Sequence, residues 1–113
     1  MRFLLLIAHD DRFRGDPELI ESIHEWIDAR SAEGVRIFGA PLVPPDQAVT
    51  IRRYAGRLET HEGPFTTGDL HTAAIEMIEC ENLDEATKIA SSHPMAARAS
   101  IEIRPVWEDL EQR

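Results

Sequence analysis

The chain has 113 residues, 42% of them hydrophobic and 29% charged, a composition that folds and is not disordered. Its formal charge of −9, with Arg52-Arg53 as the adjacent arginine pair, argues against nucleic acid as a partner. A single cysteine, Cys80, excludes an intramolecular disulfide and any CxxC site, and the opening apolar run is too short to span a membrane. These features read as one domain over residues 1–113, cytoplasmic, with no membrane partner.

Arg2–His9 reads as a strand apolar on both faces, with Phe3, Leu5 and Ile7 alternating against Leu4, Leu6 and Ala8. Asp16-Pro17-Glu18 is a helix start: a capping carboxylate, proline in the first turn, and an acid at the positive end of the dipole. Leu19, Ile20, Ile23, Trp26 and Ile27 carry the helical period, and Gly34 ends a helix over roughly Pro17–Glu33.

Val35–Val43 is the second strand, with Gly39 and Pro41 suggesting a bulge or a sheet edge. Val49–Tyr54 and Arg57–Thr60 flank Ala55-Gly56 as a peripheral hairpin. Gly63-Pro64 shapes the turn after it, which carries Phe65 either as a core plug or as a site-lining loop. Thr72–Cys80 is a further strand, at whose end Cys80 is expected to be a buried thiol. Asn82 caps a short helix, Glu85 completes a capping box, and Pro94 stops it. His93 in the last turn suits the negative helix end. Ser100–Trp107 is the last strand.

The order is ferredoxin-like α+β, βαββαβ with an inserted hairpin. Two helices cover one face of a four-stranded sheet, yet the first strand is apolar on both. A second copy is the simplest cover, so a two-fold homodimer is expected.

Two sets of residues could carry chemistry. Asp10 closes the first strand and His24 lies at the edge of the helical stripe. A carboxylate can orient an imidazole and stabilise its charged form, although a hydrogen-bonded boundary histidine fits the same spacing. His61, Glu62, Phe65 and His71 surround the Gly-Pro turn and could shape a substrate pocket. His9, Asp10, His24, His61, Glu62, Asp69 and His71 supply ligand types for a metal but no ligand spacing, so no metal and no cofactor are expected. GxGxxG, GxxxxGK[ST] and GxSxG are absent.

Several segments together resemble one family: Met1–Asp10 (MRFLLLIAHD), Arg57–Phe65 (RLETHEGPF), the helix start Asn82–Ala86 and Ile101–Val106 (IEIRPV). They are similar to the YCII-related superfamily, and within it to the DGPF branch. The resemblance implies a dimeric α+β barrel of ferredoxin-like subunits. It also implies a His–Asp pair, which Asp10 and His24 match allowing for a one-residue shift. One family type is a dehydrochlorinase of a chlorinated hydroxyquinol, and some members accompany extracytoplasmic-function sigma factors. Here Glu62 replaces the usual aspartate before Gly-Pro-Phe, and Thr66-Thr67-Gly68-Asp69 replaces an acid-rich segment. The sequence therefore supports two functions: a cofactor-free small-molecule enzyme (lyase, isomerase or dehalogenase-like), or a non-catalytic dimeric module that binds a small molecule or a protein.

Overall fold

Phe3, Leu5 and Ile7 are fully enclosed, whereas Leu4, Leu6 and Ala8 between them are only half-buried. That alternation belongs to a strand, β1 (Arg2–His9), with one face under helices and one face open. The computed structural model describes residues 1–112; the single-domain expectation also includes Arg113, which lies outside the described residues.

Asp16 caps α1 (Pro17–Ala32), its carboxylate accepting the Leu19 N–H at 2.8 Å. That bond, and then Arg98 at 3.0 Å, hold the Asp16 carboxyl below its ordinary value. Next come β2 (Arg36–Pro41), β3 (Val49–Tyr54), β4 (Arg57–Glu62) and β5 (His71–Glu79), then α2 (Leu83–Ser91) and β6 (Ser100–Pro105). Asn82 caps α2, accepting from Glu85 N–H at 2.9 Å, while the Glu85 carboxylate accepts the Glu81 N–H at 3.0 Å. The four-stranded sheet has the order β2-β5-β1-β6, and every neighbouring pair is antiparallel. This is the ferredoxin-like arrangement expected from the element order.

The hairpin β3–β4 forms its own two-stranded sheet. Its turn residues Ala55 and Gly56 have φ of 52° and 79°, as a tight hairpin with positive φ at both central positions requires.

Two cores meet under the helices. Phe3, Leu5, Trp26, Ile78, Ala86 and Ala90 form one, and Ile7, Leu19 and Met95 the other. Trp26 also donates its indole N–H to Ser92 Oγ at 2.9 Å.

Two local expectations need correction. The last strand ends at Pro105 rather than Trp107, because the chain turns into a short helix, α3 (Glu108–Glu111), tied to β1 through Arg2. Cys80 is half-buried rather than enclosed, and its partial burial still raises the thiol above its ordinary value. The edge suggested by Gly39 and Pro41 is there: β2 is an edge strand, with a register shift between Arg36 and Phe38. The glycine is needed for space: a Cβ there would collide with the Glu76 carboxylate.

Candidate functional site

The gap between α1 and the β2–β5 side of the sheet encloses a cavity of about 450 Å³. Its walls are mainly aliphatic, with Ile7, Leu19, Ile23, Ile27, Ala74 and Met95 among them. Five polar side chains interrupt those walls: His9, His24, Arg36, Glu76 and His93. A mostly apolar cavity with a few convergent polar groups is the usual form of a small-molecule site.

Each polar group has a structural cause. Glu76 alternates inward from β5 and is 4% exposed. Arg36 on β2 donates to its Oε2 at 2.5 Å, across the space that Gly39 leaves open. The pair neutralises itself in a place where a lone charge would be costly. His24 rides on the exposed side of α1 and reaches the cavity mouth. His9 ends β1, stacks on Phe13 at 4.3 Å between ring centroids, and donates Nδ1–H to the Asp10 carbonyl at 2.9 Å.

His93 departs from its expected role. It lies just beyond α2 and is 3% exposed. Burial pushes its pKa down to about 4, so at neutral pH it has no charge to offer a helix end. Instead its Nδ1 accepts the Met95 N–H at 3.0 Å and caps the turn Pro94–Ala97, with the Trp26 ring 4.6 Å away.

That burial gives a pH-dependent stability. The folded-state pKa lies below the ordinary value of 6.5, so the unfolded chain binds the proton more readily between the two. Stability is then full above about pH 6.5 and falls as the pH drops toward 4. We expect this contribution to reach at most about 3 kcal/mol. Urea unfolding of wild type and His93→Phe across that window should diverge in slope; parallel curves would remove the claim.

Asp10 and His24 open onto different spaces. Asp10 borders two smaller cavities, of about 410 and 240 Å³, and His9 borders all three. The Asp10 carboxylate accepts from Arg12 at 2.7 Å and 3.1 Å through the guanidinium and at 2.9 Å through the backbone N–H. These bonds hold the Asp10 carboxyl below its ordinary value. Among the described residues no hydrogen bond joins Asp10 to His24.

The four residues around the Gly-Pro turn also separate. Phe65 and His71 line a cavity of about 380 Å³ with Pro44 and Pro45. Phe65 is 82% exposed, so it does not plug the core. His61 and Glu62 lie on β4, exposed. Gly63 is locked to the start of β3, donating to the Ala48 carbonyl at 2.7 Å and accepting from Thr50 Oγ1 at 2.8 Å. His71 faces His9 across the last rung of the β1–β5 ladder, and its Nδ1 is buried without a hydrogen-bond partner among the described residues. Among those residues no group of three or more His, Cys, Asp or Glu is placed to hold a metal ion. No helix among them is long and apolar enough to cross a membrane.

Glu76 and Arg36 are the site residues that sequence reading missed. The signal was an acid in the middle of Ala-Ala-Ile-Glu-Met-Ile, with a glycine in the neighbouring strand.

Comparison with known proteins follows the same outline. A protein of Rhizobium meliloti (strain 1021), named there only as uncharacterised, is 35% identical over 69 residues. That match covers 59% of this chain and 56% of the relative, so the chain spans little more than half of the protein it matches. The model of the YCII-related domain matches residues 1–109, nearly the whole sheet-and-helix unit described above, and the chain belongs to the YCII-related family.

Proposed function

We propose that this protein is a cofactor-free enzyme that moves a proton on a small organic molecule held in the α1–sheet cavity. The observation that carries the reading is the cavity itself: about 450 Å³, mostly apolar, with a titratable imidazole at its mouth and a self-neutralised ion pair in its wall. His24 is the proposed acid–base group. It removes a proton from bound substrate and returns it elsewhere for an isomerisation, or gives it up to solvent for an elimination in which the leaving group on the adjacent carbon departs with its electron pair as an anion. Asp10 is the proposed support that orients His24 and favours its imidazolium. In that role it must exchange its Arg12 contacts for the imidazole. Phe65 and His71, with His61 and Glu62 on the adjoining hairpin, are proposed to shape the substrate end. The Glu62–Phe65 turn supports a place in the DGPF branch, and the lone half-buried thiol is compatible with the cytoplasm.

Once a substrate is identified, His24→Asn should lower kcat/KM by about 10²- to 10⁴-fold. Asp10→Asn should shift the acid limb of the pH profile to lower pH, because a carboxylate that favours the imidazolium is lost. Unchanged turnover in His24→Asn would end the catalytic assignment.

A second reading keeps the dimer and drops the chemistry: a binding module for a small molecule or a protein, with a regulatory, sigma-factor-associated role. The engagement of Asp10 with Arg12 favours it. Both readings include a homodimer, supported by the open apolar face of the sheet.

A further inference from the structure

The polar groups of the α1–sheet cavity restrict what it can hold. Arg36 and Glu76 cancel each other, so the wall between them presents no net charge to a ligand. His9 has already given its Nδ1–H to the Asp10 carbonyl. His24 stands at the mouth, exposed to water. His93 is the enclosed one, and its bonding fixes its tautomer: because Nδ1 accepts the Met95 N–H, the proton of the neutral ring is on Nε2. Among the described residues Nε2 has no hydrogen-bond partner. Nε2 is not one of the fully buried unpartnered atoms, so it opens onto the cavity that His93 lines, where a fixed N–H donor beside apolar walls is available to an acceptor on a ligand.

We propose that this cavity binds a neutral, mostly apolar molecule with a carbonyl oxygen, which accepts the Nε2–H of His93. The class follows from three features. The aliphatic walls oppose a charged ligand, since inside them Arg36 is already paired with Glu76 and is not free to offset the desolvation. The fixed donor asks for an acceptor, which a hydrocarbon lacks. The volume fits a molecule of one or two rings, given that a cavity of about 150 Å³ already admits benzene. His93 is thus a binding residue, distinct from the proton-transferring His24. The inference rests on the reading of this cavity as the ligand site, and it holds whether or not the ligand is turned over.

The test uses three probes of similar size: acetophenone, ethylbenzene, which lacks the acceptor, and benzoate, which is anionic. Binding is followed by methyl and histidine-ring NMR of the intact protein. Acetophenone should shift the Ile7 and Ile23 methyls and the His93 ring saturably. Ethylbenzene should bind roughly three- to ten-fold more weakly, the worth of one neutral hydrogen bond. Benzoate should bind more weakly still. In His93→Phe the preference for acetophenone over ethylbenzene should vanish. His93→Asn, whose side-chain oxygen can keep the Met95 cap, should lose it too and guards against a folding defect. Equal binding of acetophenone and ethylbenzene, a preference for benzoate, or an unchanged ratio in both variants would overturn the ligand class alone. If no probe moves the cavity methyls, the cavity is not a ligand site, and the functional reading built on it falls as well.

Discussion

Arg36→Met is expected to be the most damaging single change outside the hydrophobic core, lowering stability by about 3–5 kcal/mol. The asymmetry of the pair decides this. The Glu76 side chain is 5% exposed and that of Arg36 16%, so the carboxylate is the more deeply desolvated partner. Removing the guanidinium leaves an enclosed charge with no countercharge. Removing the carboxylate in Glu76→Met leaves an arginine on an edge strand that can turn toward water, and should cost less. Replacing both with methionine preserves volume and removes both charges. The double variant should recover most of the loss and can equal wild type, as buried pairs replaced together often do. Urea unfolding of the four proteins provides the cycle. With total stabilities of small domains near 5–15 kcal/mol, the single arginine variant should be visibly close to unfolding. A loss below about 1 kcal/mol for Arg36→Met, typical of an exposed pair, would show that the pair is solvated in solution. A double variant as poor as Arg36→Met would show that hydrogen bonding or shape, not charge, is what matters.

That pair also marks where sequence reading reached its limit. Local rules exposed the frame: a strand apolar on both faces at Phe3–Ala8, the Asp16-Pro17 and Asn82 helix starts, and the Ala55-Gly56 turn. Each depends on a few adjacent residues and is therefore written in the local sequence. Glu76 was hidden because its burial depends on Arg36 and Gly39, which lie on another strand. Gly39 was legible as an unusual residue, but its purpose was not, since the atom it avoids belongs to residue 76. His93 posed the same problem. Its spacing after α2 suggested a helix-end cation, while its enclosure by Trp26 and Met95 makes it a neutral cap. Asp10 and His24 were legible as chemical types, but the loop Asp10–Phe13 returns Arg12 onto the carboxylate, which no spacing rule would indicate. The short helix Glu108–Glu111 lacks a side-chain cap and an apolar period, so it left no local signal.

The second large effect is expected on assembly: Leu6→Asp should convert a dimer into a folded monomer. On the open face, Leu4, Leu6, Ile75 and Met77 are only half-buried in the isolated chain, and Phe38 is 49% exposed. The hairpin β3–β4 adds Val49, Ile51 and Leu58, each more than half exposed. A two-stranded ribbon is marginal in water by itself, so these side chains also need a surface. The radius of gyration is 16.0 Å, against about 13 Å for a compact chain of this length, as an extended arm requires. Both surfaces belong to one molecule, and in the proposed homodimer two-fold closure would let each copy cover the other. Wild type should therefore run in light scattering at twice the 12.8 kDa chain mass at micromolar concentration. A carboxylate at position 6 would face Glu102 across the rung, and Arg104 one pair along is already engaged by Glu102 at 3.4 Å, so the new charge should weaken association by more than about 100-fold, a cost of some 3 kcal/mol. Because Leu6 is half-exposed in the chain alone, the variant should keep its far-UV circular dichroism. Leu58→Asp on the arm should weaken the dimer less, since the ribbon end can stay near water. A monomeric wild type would eliminate the assembly and leave the open face to another partner. A dimeric Leu6→Asp with unchanged affinity would place the contact elsewhere on the chain.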